Sequence, residues 1–150
     1  MIVLIQRAKK AQVKINTKLY SSIEKGLVVL LGIHVKDTQK EAEYLCKKIA
    51  NLRIFSDNNN KMNISVQEAN ASILVISQFT LYGNCSKGNR PSFINSAKGK
   101  KAKPLYNYFI SKLKEFNINV ESGKFGEMMD VQLTNNGPVT LIIESKNEKN

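Results

Sequence analysis

Leu27-Val28-Val29-Leu30-Leu31-Gly32-Ile33-His34-Val35 is a strongly apolar, β-branched run, and it reads as a central strand. Just beyond it, Thr38-Gln39-Lys40-Glu41 has the spacing of a capping box. That box opens a helix carrying Ala42, Leu45, Ile49 and Leu52 on one face. Working toward the N-terminus, Ile2–Gln6 is a short apolar run and reads as a buried strand. Residues 11–16 alternate, with Ala11, Val13 and Ile15 pointing one way and Gln12 and Lys14 the other, as a half-buried strand does.

Toward the C-terminus, Ser56–Lys61 (SDNNNK) is a turn. Ser72–Phe79 reads as another buried strand, and Tyr82–Ser92 as a polar loop with Gly83, Gly88 and Pro91. Pro104 suits the first position of a second helix, on which Leu105, Phe109, Leu113 and Phe116 share a face. Val120 begins a short strand, Met129–Leu133 alternates, and Val139–Glu144 is apolar. Asn135-Asn136-Gly137-Pro138 between the last two reads as a tight hairpin connection. Lys146–Asn150 looks like a frayed tail. Strands outnumber helices and several connections are short. The expectation is one α+β domain over residues 1–150: a curved, mostly antiparallel, barrel-like sheet with two main helices.

The chain has 150 residues, enough for one domain and little more. No apolar run reaches the about 18 residues of a membrane span. In MIVLIQRAKK the charges follow the apolar stretch, the reverse of a secretory signal, so a cytoplasmic protein is expected. Cys46 and Cys85 make no disulfide framework, and the single His34 makes a zinc site improbable; no metal and no cofactor are expected. The formal net charge is +11, from 23 Lys and Arg against 12 Asp and Glu, which suits a polyanionic partner or simple solubility. Only three of the basic residues are arginine, Arg7, Arg53 and Arg90, so each is a candidate for a place where a planar fork of donors matters.

Enzyme signatures of the usual kinds are missing: there is no GxSxG, P-loop, HExxH or CxxC. His34 ends an apolar strand and is more plausibly structural than a general base. Two segments stand out. Ser77-Gln78-Phe79-Thr80-Leu81-Tyr82 runs from a buried strand into hydroxyls and an amide, a good place to meet a ligand, or an ordinary strand terminus. Gly137-Pro138 is one of the few places for a cis peptide bond, although on spacing alone a plain turn is favoured.

Together with other short motifs, these segments resemble the D-aminoacyl-tRNA deacylase family over nearly the whole chain. The ordered set is Ile5-Gln6-Arg7, Ala50-Asn51-Leu52-Arg53-Ile54-Phe55, Lys61-Met62-Asn63, Ser77–Tyr82, Lys87-Gly88-Asn89-Arg90-Pro91-Ser92-Phe93, Gly123-Lys124-Phe125-Gly126 and Asn135–Thr140. The resemblance implies a homodimer that hydrolyses the ester between a D-amino acid, or glycine, and the 3′-terminal adenosine of tRNA. Its partners would be that tRNA and a second copy, with no membrane and no DNA.

By the same resemblance, Ser77, Gln78, Phe79 and Thr80 form the catalytic segment, with backbone N–H groups of Phe79 and Thr80 meeting the oxyanion. Gly137 and Pro138 enter the partner's site and exclude L side chains. Arg7 braces that turn, and Phe125 and Met129 line the adenosine pocket, so that these three make up the substrate-binding set. Core packing is the competing account of Phe125 and Met129. Arg53 reads as complementing the dipole at the end of the first helix, and Arg90 and Lys87, in the polar loop, as meeting tRNA phosphates or closing the pocket. Asn136 departs from the aspartate common before Gly-Pro, and Lys98–Lys103 is more basic than usual, either a tRNA contact or a solvated loop. The rivals are a basic RNA-binding dimer without chemistry and a purely structural dimer.

Overall fold

The structure, a computed structural model, describes residues 1–145; the expected frayed tail lies outside the described residues. Eight strands and two helices follow in the order β1 (Ile2–Ile15), β2 (Lys18–Ile23), β3 (Gly26–Gly32), α1 (Gln39–Ala50), β4 (Phe55–Ser56), β5 (Met62–Ile64), β6 (Ser72–Ser77), α2 (Gly99–Lys114), β7 (Val120–Ser122) and β8 (Asp130–Glu144). A 3-10 turn, Phe79–Tyr82, lies between β6 and α2. The main sheet has the order β2-β1-β3-β6-β7, with β8 on the free edge of β1, and β4 and β5 form a separate ribbon. Ser21 Oγ on β2 donates to Ser122 O on β7 at 2.8 Å, so the two ends of the sheet meet and the barrel nearly closes.

The Leu27 run is the central strand, as expected. It ends at Gly32, however, and it pairs antiparallel with β1 but parallel with β6, which in turn pairs parallel with β7. The sheet is therefore mixed. Because β3 is covered on both faces, its side chains feed two cores. Leu27, Val29 and Leu31 pack under the helices with Leu45, Ile49, Phe109 and Leu113. Val28 faces the barrel interior with Ala8, Ala11, Val13, Leu74 and Ile76. Phe109 is fully buried, and its truncation to alanine costs about 3–5 kcal/mol.

Four features differ from what the sequence suggests. The two N-terminal strands are one strand of 14 residues. Its apolar phase changes between Ala8 and Ala11, which both face the barrel although they are three residues apart, because the β1–β8 register shifts there, between Ala8 and Lys10. A slip of one residue exchanges the two faces, so a single strand reads as two. Second, β2 gives no sequence signal because only Ile23 of it is buried; its hairpin turn uses Asn16 and Thr17, both at positive φ, instead of Asn-Gly. Third, α2 begins at Gly99, so Pro104 lies inside the helix. There the missing N–H deprives only the carbonyl of Lys100, and Ala102, buried before the proline, ties the extra turn to the core.

Fourth, Asn135–Pro138 is not a hairpin. The chain does not reverse there, because residues on both sides pair with β1 in the same antiparallel sense. Between the pairs Gln6–Thr140 and Ala8–Asn135 lie one residue of β1, Arg7, and four of β8, Asn136–Val139. The motif is a bulge facing a single arginine. Turn residues between two apolar runs cannot distinguish a reversal from a bulge.

Candidate active site

Strands β3, β6 and β7 run in the same direction, so their C-terminal ends form one rim, the side of a parallel sheet on which ligands usually bind. Gln78 N–H bonds Leu31 O at 2.8 Å, and the chain then turns sharply through Phe79–Tyr82, closed by Leu81 N to Gln78 O (3.3 Å) and Gly83 N to Thr80 O (2.8 Å). In such a turn the first N–H groups, those of Phe79 and Thr80, have no acceptor within the turn. Gln78 Nε2 donates to Thr80 Oγ1 across the start of the turn. Phe79 is 54% exposed, with its ring edge-on to Phe93 at 5.0 Å between centroids. Ser77 ends β6 opposite Leu31 and is half-buried.

Phe125 and Met129 follow β7 on the same rim, in a bend rather than a helix. Phe125 lies 5.6 Å from the ring of Tyr106, whose hydroxyl donates to Val75 O (2.9 Å) and Gly123 O (3.1 Å) and so pins β6 to the bend. The sulfur of Met129 accepts from Lys124 N–H at 3.3 Å and packs over Gly123, where an added Cβ would stand 2.8 Å from it. Both side chains are half-buried against the cores, so core packing and a ligand wall are compatible at these positions.

The rim is poor in acid–base groups. His34 stands 5.2 Å from Tyr82 between centroids, but its Nδ1 is engaged by Lys36 N–H at 3.1 Å. Asp37 is buried against the Met1 amino group at 2.7 Å. Burial, assisted by Asp37 and Glu144, pushes the Tyr82 hydroxyl well above the usual phenol range, so it stays protonated. Cys46, far from the rim, is raised to about 12 by burial and is inert as a thiolate. Among the described residues no three His, Cys, Asp or Glu side chains converge as metal ligands would. What the rim offers to chemistry is backbone N–H, hydroxyl and amide.

Gly137 and Pro138 do not belong to this rim in the same chain. Their peptide bond is cis, and both residues are exposed. They face Arg7, which pairs with Leu27 at the start of β3, whereas the rim lies where Ile2 pairs with Gly32. Five residues of β1 separate the two places, roughly 16 Å along the strand at about 3.3 Å per residue. Arg7 is buried and holds the bulge from beneath: Nε donates to Asn136 O at 2.9 Å and Nη1 to Ile54 O at 2.6 Å. Lysine could not reach two carbonyls with fixed geometry.

Asn135 clips the base of the bulge. Its Oδ1 accepts from Val139 N–H at 2.8 Å, and its Nδ2 donates to Val139 O at 3.2 Å and Thr140 Oγ1 at 3.1 Å. An Asn that bonds its own backbone four residues on is readable as a turn former, not as a clip inside a strand. Gly137 has φ +139, and an added Cβ would meet Val139 Cγ2 at 2.9 Å and Arg7 Nη2 at 3.1 Å. Side chains thus take up the carbonyls of Asn136 and Val139, while no side chain among the described residues bonds those of Gly137 and Pro138.

Arg53 turns from the end of α1 to Asn63 O (2.7 Å) and Oδ1 (3.1 Å), fixing the β4–β5 ribbon, which is a different task from complementing a helix end. Lys87 and Arg90 are exposed near the tip of the small hairpin closed by Asn84 and Ser92.

Residues 4–144 match the family model described as D-Tyr-tRNA(Tyr) deacylase. The chain belongs to that family. A D-aminoacyl-tRNA deacylase of Desulfatibacillum aliphaticivorans is 55% identical over 146 residues, covering 97% of this chain and 100% of the relative. One from Thermosipho melanesiensis is 53% identical over 147 residues, covering 97% and 98%. Relatives of this name are hydrolases. A solved structure described as "c-Myc DNA Unwinding Element Binding Protein" superposes with a TM-score of 0.91 at 39% identity, covering 97% of this chain and 99% of that one. A probable eukaryotic D-amino acid tRNA deacylase superposes at 0.85 with 17% identity over 95% and 98%, a likeness of fold. No helix among the described residues is long and apolar enough to cross a membrane.

Proposed function

We propose that this chain hydrolyses the ester of D-aminoacyl-tRNA, and of glycyl-tRNA, in the cytoplasm, working as a homodimer whose sites each combine the rim of one protomer with the Gly137-Pro138 bulge of the other. The observation that carries the reading is the separation within one chain. A rim where the N–H groups of Phe79 and Thr80 have no acceptor within their turn, and a braced, outward-facing bulge, lie too far apart to share a substrate, so a second copy is needed to bring them together. β8 supports that copy's seat: among the described residues it pairs with β1 alone, on one edge, and Ile142 is 63% exposed.

In this account water attacks the acyl carbon, the N–H groups of Phe79 and Thr80 hold the oxyanion, and the carbon–oxygen bond breaks as the ribose oxygen takes a proton. The ester is already activated and the ribose 2′-hydroxyl can orient the water, so no protein base is required. Ser77 and Gln78 shape the site. Thr80 Oγ1 has no basic partner to activate it as a nucleophile. Phe125 and Met129 receive the terminal adenosine; stacking on an aromatic ring contributes about 1–3 kcal/mol. The carbonyls of Gly137 and Pro138 occupy the space an L side chain needs and leave glycine and D residues room.

The deciding experiment is release of free tyrosine from D-Tyr-tRNA and L-Tyr-tRNA. Turnover of the D form with the L form spared is expected. Salt-sensitive tRNA binding without turnover would instead establish the rival, a non-catalytic basic tRNA-binding dimer, which the net charge of +11 favours.

A further inference from the structure

From Ala69 to Lys114 the chain has no aspartate or glutamate, yet it has eight lysines and arginines. The fold brings the densest part of this stretch to the rim. Ala97 N–H bonds Ile33 O at 2.8 Å, which sets the start of α2 against the end of β3. A Cβ on Gly99 would stand 3.7 Å from the ring of Phe125. Lys101 is committed to structure, its ammonium donating to Val35 O. Lys98, Lys100 and Lys103 are exposed, and none of the three ion pairs among the described residues involves them.

This arrangement runs against the needs of the helix. In α1 the same protein places Thr38 and Glu41 in a reciprocal cap and puts Lys47 and Lys48 in the last turn, as the helix dipole favours. α2 has no acid in its first turn, no side-chain cap at Lys98, and cations where the dipole disfavours them. Lysines kept there, beside Phe125 and unneutralised, are accounted for by a negatively charged partner.

We propose that Lys98, Lys100 and Lys103, exposed and in no ion pair among the described residues, form, near Phe125, the docking surface for the phosphate backbone of the tRNA acceptor stem. They hold the stem so that its single-stranded 3′ end reaches the rim. This rests on the function proposed above and adds which part of the surface meets the double-stranded RNA. Contacts of this kind position without reading sequence.

The test compares wild type with Lys98→Gln/Lys100→Gln/Lys103→Gln on two substrates, D-Tyr-tRNA and the D-tyrosyl ester of adenosine, over a range of salt. Lys47→Gln/Lys48→Gln/Lys61→Gln removes the same charge elsewhere as a control. The rim variant is expected to lose about tenfold or more in kcat/KM on D-Tyr-tRNA at low salt. Its dependence on log salt should flatten by about two units, with no change on the adenosine ester. An equal loss in the control, or an equal loss on both substrates, overturns the proposal. Unchanged activity of the rim variant on tRNA, with both esters cleaved, overturns the docking surface alone. A wild type that cleaves neither ester overturns the function and the docking surface together.

Discussion

The turn at the end of β6 and the bulge in β8 are both irregular, but they are held in opposite ways. At the turn, the N–H groups of Phe79 and Thr80 find no acceptor within it, and Phe79 stands open to solvent. At the bulge, Arg7 and Asn135 grip the flanking carbonyls from inside, and Gly137 is confined by Val139 and Arg7. One region keeps its bonding capacity for something outside the chain; the other spends its bonding on keeping a shape. A site needing both a polar receptor and a rigid gauge of handedness can divide the tasks in this way.

The comparison breaks first at the turn. Phe79→Pro removes one N–H at a position where proline suits the first residue of a turn and where Gln78 is already non-helical, with φ −137 and ψ 78. Loss of about 100–1000-fold in kcat is expected, with Phe79→Leu, which keeps the N–H, falling far less. Equal losses in the two variants would assign the effect to the ring. The Phe79→Pro chain also tests the division between protomers. Mixed with Gly137→Ala chains, it should regain about a quarter of wild-type turnover, because a mixed two-fold dimer contains one site built from two intact parts. If no activity returns, turn and bulge serve the same chain.

Gly137→Ala by itself is expected to fold, with a loss of about 1–3 kcal/mol from the positive φ and the close contacts, read as a lower Tm. Displacement of the bulge by even an ångström should cost about 100-fold in activity toward D-Tyr-tRNA. The added methyl meets Arg7 and Val139, so the effect passes through the shape of the bulge rather than through direct filling of a pocket. Wild-type turnover would remove the role of the bulge.

Asn135→Ala removes a clip but leaves Arg7 in place; about 1–3 kcal/mol of stability should go with the unsatisfied Val139 N–H, seen in denaturant unfolding, with a smaller loss of activity than at Gly137. The smallest effect belongs to Thr80→Ala. It keeps the backbone N–H and gives up only the bond from Gln78, so kcat should stay within about fivefold of wild type, as befits a single hydrogen bond. A collapse as deep as that of Phe79→Pro would make the hydroxyl a reacting group.

Elements with a one-residue signature were legible in the sequence. The Leu27 run is central because its side chains are apolar on both faces. Thr38 and Glu41 form the cap their spacing implies, and the Ser56–Lys61 turn closes between β4 and β5, with Asp57 N bonding Lys61 O at 2.8 Å. Elements stabilised from a distance were not legible. β2 is held by its neighbours rather than by alternation, and the first turn of α2 forms although it has no cap. The hidden continuity of β1 has the same origin, since a phase slip looks like an ending when only the pattern is visible. Ser77–Thr80, Phe125 and Met129 were recognisable as motifs, but nothing in their spacing places them on one rim.

The sequence by itself determined the composition of the two cores, the position of the central strand and first helix, the excess of positive charge and membership in the deacylase family, because each rests on residue type and local order. Only the tertiary structure decided that Asn136–Val139 is a bulge braced by Arg7, that three parallel strand ends form one rim, and that the rim and the bulge stand at different ends of β1. Those are matters of strand direction and register, which arise from backbone pairing between distant segments and leave no mark on the order of side chains.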